Sequence, residues 1–161
     1  MRPDDLKSLY LMELQEACSF EAQFATSLPD LAEKAGNDRL REFLSADRSA
    51  ALIRGERVWG LLEVHDIAAD THTDGSMQAI LREAGDWAAT IPNPTVRDAA
   101  LIASIQRILH YGMAVYGSLA GWAKELNLAD TEALSDTLEE AKRADAQLTA
   151  IAEEIVNRAA A

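Results

Sequence analysis

A chain of 161 residues is long enough for one domain with a substantial core, and 48% hydrophobic with 26% charged residues is ordinary globular composition. A formal charge of −12, from 27 acids against 15 bases, argues against a nucleic-acid or anionic-membrane binder, because phosphate recognition needs clustered Lys and Arg and no basic stripe is present. A single cysteine, Cys18, gives no disulfide framework, and no apolar run marks a signal peptide or a membrane span, so a cytoplasmic protein is expected.

The chain, 1–161, reads as a single all-α domain. From Asp4 to Ala35, inward-type positions recur at alternating steps of three and four: Tyr10, Leu14, Ala17, Glu21, Phe24, Leu28 and Leu31. Pro29 is predicted to kink this helix, and Gly36 to end it in a left-handed conformation. Asn37 then caps a second helix, about Asp38 to Val64, whose seam is Leu40, Leu44, Asp47, Ala51, Arg54, Val58 and Leu61.

A stretch of different character follows from His65 to Pro94, with a short helix predicted at about Ser76 to Ala89. Antiparallel neighbours need only short loops, so a connection of roughly 30 residues points to a crossover between parallel second and third long helices, the ferritin-like four-helix bundle. Asn93-Pro94 starts the third helix, with Ile102, Ile105, Leu109, Gly112, Tyr116, Leu119 and Ala123 inward. After an Asn127–Asp130 turn, a fourth helix to about Arg158 turns Leu134, Leu138, Ala141, Asp145, Leu148 and Ala152 inward.

Glu21 and Asp145 therefore stand on buried seams, where an unpartnered charge is costly. Helix bundles often neutralise such acids with a metal pair held by Glu and His from facing helices. Elsewhere, Glu63, His65, Asp66, Asp70, His72 and Asp74 match no metal template and read as a solvated connection. Tyr111 and Tyr116 read as core, and Gly112, Gly117 and Gly121 suggest close approach of another helix or a bulky ring. Trp59, Trp87 and Trp122 serve either the core or a subunit contact. No nucleophile elbow, phosphate loop or metalloprotease motif is visible.

Several segments carry a resemblance: Cys18-Ser-Phe-Glu-Ala-Gln with Leu28-Pro-Asp-Leu-Ala, Arg97-Asp-Ala-Ala-Leu-Ile-Ala, His110-Tyr-Gly-Met-Ala-Val-Tyr-Gly-Ser-Leu-Ala and Lys142-Arg-Ala-Asp-Ala-Gln-Leu-Thr. Across nearly its whole length the chain resembles the bacterial ferritin-like, stress-associated family typified by YciF and YciE. That resemblance implies a four-helix bundle, often dimeric, with a carboxylate-rich metal centre. Ser19-Phe-Glu21 matches the family's Ser-x-Glu element, but Asp47-Arg-Ser-Ala-Ala51 and Arg54 replace its His-Leu-Glu-Glu-Thr and following ligand. Ile108-Leu-His-Tyr-Gly112 keeps His110 and Tyr111 and lacks the flanking acids, and Glu140-Ala-Lys-Arg-Ala-Asp145 loses one acid of the family's Glu-Glu-Lys-x-x-Asp pattern and keeps the aspartate.

A di-metal site needs several carboxylates, so Glu21, His110 and Asp145 read as remnants. The reading preferred from the sequence is an Arg54 guanidinium lying between Glu21 and Asp145, with Asp47 a further member, in a non-catalytic homodimer without a cofactor that acts through assembly or partner binding. The alternative is an oxidase or peroxide-handling protein with a reduced, mononuclear iron or manganese site.

Overall fold

A computed structural model describes residues 3–68 and 72–161. Its helices are α1 (Leu6–Lys34), α2 (Asp38–Val64), α3 (Gly75–Thr90), α4 (Pro94–Glu125) and α5 (Thr131–Ile151), followed by a π-helical turn at Ala152–Val156 and a final turn, α6 (Asn157–Ala160). α1 lies along α2 and α4 along α5; α4 also packs on α1, α5 on α2, and the short α3 covers α1 and α4.

Local chemistry starts α1, α2 and α4. Asp5 accepts from the Ser8 amide while the Ser8 hydroxyl accepts from the Asp5 amide, a reciprocal cap that satisfies donors with no intrahelical partner. The Asn37 side chain accepts from Leu40 N, and Asn93 accepts from Thr95 N just ahead of α4, whose first residue is Pro94. The buried stripes then join in one core. Tyr10, Leu14, Phe24 and Leu28 of α1, Leu40 and Leu44 of α2, and Leu101, Ile105 and Ile108 of α4 are fully buried, each contributing about 2 kcal/mol of burial free energy.

α1 runs past Pro29 to Lys34 as one helix, with Thr26 and Ser27 bonding back to the Ala22 and Gln23 carbonyls in the preceding turn. Two local expectations are corrected. Gly36 is not left-handed: no described glycine has positive φ, and α1 ends at an extended Ala35. Space is tight at Gly36, because a Cβ there would stand 3.2 Å from Asp98 Oδ2 and Pro94 Cβ and those neighbours would have to give by a few tenths of an ångström. In α2 the buried stripe ends on Leu62 instead of Leu61, continuing the steps of four from Arg54 and Val58.

The left-handed stops fall elsewhere. Asn127 (φ 53°) follows α4 and Asp66 (φ 56°) follows α2. In each case the next amide reaches back into the helix, Leu128 N to Ala123 O and Ile67 N to Leu62 O, which is the six-to-one closure of a Schellman motif.

Candidate functional site

The α1 stripe carries Glu21 into the centre of the bundle, where it has no exposed surface. Two groups meet its carboxylate. Arg54, from the buried stripe of α2, donates from Nε to Glu21 Oε1 at 2.8 Å, and Tyr116 of α4 donates its hydroxyl to the same oxygen at 2.7 Å. The guanidinium also faces Asp47, two turns earlier on α2, with Nη1 at 3.6 Å from Oδ1. Arg54 and Asp47 are themselves almost wholly buried.

The electrostatics of this cluster are those of two acids sharing one cation. Burial pushes the carboxyls of Glu21 and Asp47 above their ordinary range, and the Arg54 charge works against that rise. For Arg54, burial opposes the charge, but Glu21 and Asp47 outweigh it and hold the guanidinium protonated. Burial and the Glu21 charge raise the Tyr116 phenol, so it stays a donor. Glu21 Oε2 and Asp47 Oδ2 are buried without a protein hydrogen-bond partner. With both acids ionised, one negative charge would be in excess of the single guanidinium.

Asp145 does not join this cluster, which corrects the expected placement of Arg54 between Glu21 and Asp145. Asp145 is partly exposed and lies 3.4 Å from His110 Nε2 and 3.4 Å from Gln106 Nε2, along the α4–α5 seam. His110 is one step off the Leu109 stripe, so its ring points to solvent, 64% exposed, and Asp145 follows it to the seam edge. Arg54 instead finds its second acid on its own helix.

The residues present do not fit a carboxylate-bridged metal pair. Glu21, the first ligand position that the resemblance implies, has one oxygen engaged by a guanidinium and a phenol, which places a fixed cation where a metal would need an open oxygen. His110 and Asp145 are directed away from it, and among the described residues no group of three His, Cys, Asp or Glu side chains is arranged to hold a metal ion. A groove of about 400 Å³ between α2 and α5 opens above the cluster, with Phe43, Asp47, Ile53, Arg54 and Arg143 in its walls. Arg57 closes one end of the α2–α5 seam, donating to Thr137 Oγ1 at 2.6 Å and Glu140 Oε1 at 3.0 Å.

The other acidic and histidine candidates separate in space. Asp74 caps α3 through Met77 N and accepts the Tyr111 hydroxyl at 2.7 Å. His72 Nε2 lies 2.8 Å from Glu16 Oε1, and Asp70 lies outside the described residues. His65 belongs to a second polar centre. Its Nε2 is 2.6 Å from Asp130 Oδ2, the same oxygen that accepts the Tyr10 hydroxyl, while Lys7 Nζ stands 3.1 Å from Nδ1. A lysine ammonium can only donate, so the roles consistent with these contacts are Nδ1 accepting from Lys7 and Nε2–H donating to Asp130. Cys18 is half-buried, and burial followed by the Glu21 charge raises its thiol, so it is a weak nucleophile.

The sequence reading missed Tyr116 as a partner of Glu21, and it named Asp47 only as a further member of the network in which Asp47 is the second acid of Arg54. The second was visible in outline, because positions 47 and 54 are seven apart and so share a face of α2. The first was not, because a tyrosine on an apolar seam looks the same whether or not its hydroxyl has a partner.

Comparison with known proteins places this geometry. The model of DUF892, a domain of unknown function, matches residues 5–161. Protein YciF of Escherichia coli K12 is 30% identical over 162 residues, covering 99% of this chain and 98% of the relative. The crystal structure of the E. coli stress protein YciF superposes with a TM-score of 0.91 at 29% identity, over 96% of this chain and 99% of the other. YcfI from Rhodopseudomonas palustris, for which a structural role has been suggested, gives a TM-score of 0.86 at 28% identity over 91% and 94%.

Proposed function

The chain belongs to the DUF892 family, and from that premise we propose that it is a non-catalytic, ferritin-like member that acts through assembly, with its buried acids neutralised by Arg54 and a shared proton in place of metal. One observation carries the reading: Arg54 stands 2.8 Å from Glu21 and faces Asp47, so the charge that a metal pair would balance has an internal counter-ion. A guanidinium cannot exchange ligands or change valence, so the cluster gives rigidity and electrostatic balance without redox chemistry. We extend to this chain the stress association carried by the name of the E. coli relative, a cytoplasmic setting and a homodimeric state. The structural role suggested for the R. palustris relative agrees in kind with assembly. None of the described helices is long and apolar enough to cross a membrane.

Metal analysis of protein purified without chelator tests this. No stoichiometric iron, manganese or zinc is expected, and added ferrous iron is oxidised no faster than in the Glu21→Gln variant. Two metals per chain, or oxidation that depends on Glu21, overturns the reading in favour of a metal-dependent oxidase.

A further inference from the structure

Of the seams between neighbouring long helices, that between α2 and α5 is the least closely packed. Phe43, Ala46, Ala50 and Ile53 recur along α2 at steps of three and four and so share one face, which meets Ala144 of α5 across the groove of about 400 Å³. The small side chains leave that space open. Its volume lies within the range of small-molecule sites, and Ile53, 57% exposed, presents an apolar wall that the fold itself does not use.

The polar groups of the groove are few and only partly satisfied. Asp47 is almost wholly buried, and its Oδ2 has no hydrogen-bond partner in the protein. Because Asp47 shares the single Arg54 guanidinium with Glu21, this side of the groove is short of one positive charge. Arg143 of α5 has the opposite need. It is exposed in the groove wall and forms no ion pair among the described residues, whereas the adjacent Lys142 holds Glu139 at 2.7 Å, and Arg57 and Glu140 satisfy each other at 3.0 Å. One acid and one cation are thus left unanswered in an apolar groove.

We infer that the groove binds a small apolar amino acid, its ammonium donating to Asp47 Oδ2, its carboxylate held by Arg143 and its side chain lying on Phe43 and Ile53. An ammonium brings three donors and the charge that Asp47 lacks, and a planar guanidinium can hold a carboxylate through two parallel bonds. A ligand with only one of these charges answers one group and leaves the other. Glu21, Asp47 and Glu140 balance Arg54, Arg57 and Arg143, so a ligand of zero net charge keeps the site neutral. The inference goes beyond assembly and rests on that reading only in taking the acid cluster to be free of metal.

Calorimetric titration of the full chain with leucine and with phenylalanine tests it, alongside metal analysis of the same sample. At least one of the two is expected to bind. Isoamylamine, which lacks the carboxylate, and 4-methylpentanoate, which lacks the ammonium, should bind about tenfold or more weakly. Arg143→Ala, at an exposed position, should weaken the amino acid about tenfold and leave isoamylamine unchanged. Ala50→Phe, which fills the groove, should abolish binding while circular dichroism shows the helices intact. No binding of either amino acid at about 1 mM, binding indifferent to Arg143→Ala, or isoamylamine bound as tightly as leucine overturns the inference, and in a metal-free sample leaves the assembly reading standing. Stoichiometric metal in a sample that still binds leucine overturns the assembly reading alone.

Discussion

The ring of Phe20 fills the space that a side chain at Gly112 would need: a Cβ there would come within 2.9 Å of Phe20 Cζ. Phe24 stacks on that ring at 6.3 Å between centroids, Tyr111 meets it edge-on at 5.9 Å, and Tyr116 tilts against it at 6.2 Å. The glycine admits an aromatic cluster between α1 and α4, and one member of that cluster is the phenol that bonds Glu21.

Gly112→Ala is expected to destabilise the fold by about 1 to 3 kcal/mol through overpacking, against a helix-propensity gain of about 1 kcal/mol that would prevail were the space open. Urea denaturation followed by circular dichroism measures this. Adding Phe20→Leu to the alanine variant should recover part of the loss.

Removing the guanidinium leaves two buried acids without a counter-ion, so Arg54→Ala should cost about 3 to 5 kcal/mol. If charge balance is the cause, Arg54→Met combined with Glu21→Gln and Asp47→Asn should regain most of it. A triple variant as unstable as Arg54→Ala would show that the arginine acts chiefly by filling space.

The same acids predict a pH dependence. Their carboxyls titrate higher in the folded chain than unfolded, so the folded state holds more protons, and their contribution to stability falls as pH rises above the ordinary carboxylate range. As pH rises above the ordinary carboxylate range the unaltered chain should therefore lose stability more steeply than Glu21→Gln, which cannot titrate at that position. Parallel profiles for the two proteins would contradict a proton held by the pair.

Asn127 holds φ at 53° after α4, a conformation that costs an L-residue about 1 kcal/mol and glycine almost nothing. Asn127→Gly should raise the thermal midpoint slightly, by about 0.5 to 1 kcal/mol of stability. A decrease would mean that the asparagine side chain contributes more than the backbone strain it imposes.

Much of the bundle was legible because apolar residues at steps of three and four describe a buried stripe whatever lies across from it, and Asn37 and Asn93 mark helix starts by local bonding alone. Arg54 as the internal cation was legible for a related reason, since a charged residue on an apolar seam has few other uses. Its partners were harder to read. Asp145 repeats with the right spacing yet sits at the edge of its stripe, and whether an edge position faces the core depends on helix rotation, which spacing does not specify. The end of α1 was misread because Gly36 answers to Asp98 and Pro94, residues about sixty positions away that no local signal connects to it.

Two single carboxylates bind the far ends of the molecule together. Asp98, buried on α4, accepts the amides of Gly36 and Asn37 at 2.8 Å each, holding the corner between α1 and α2. Asp130 stands at the N-cap of α5 but makes no side-chain cap there, forgoing roughly 1 kcal/mol; it turns to Tyr10 of α1 and to His65 after α2. Because each helical hairpin is clamped to the other at both extremities, neither can fray or slide by a turn on its own. The slowest amide protons of all four long helices should consequently exchange together, through one global opening, and not in two steps of hairpin release.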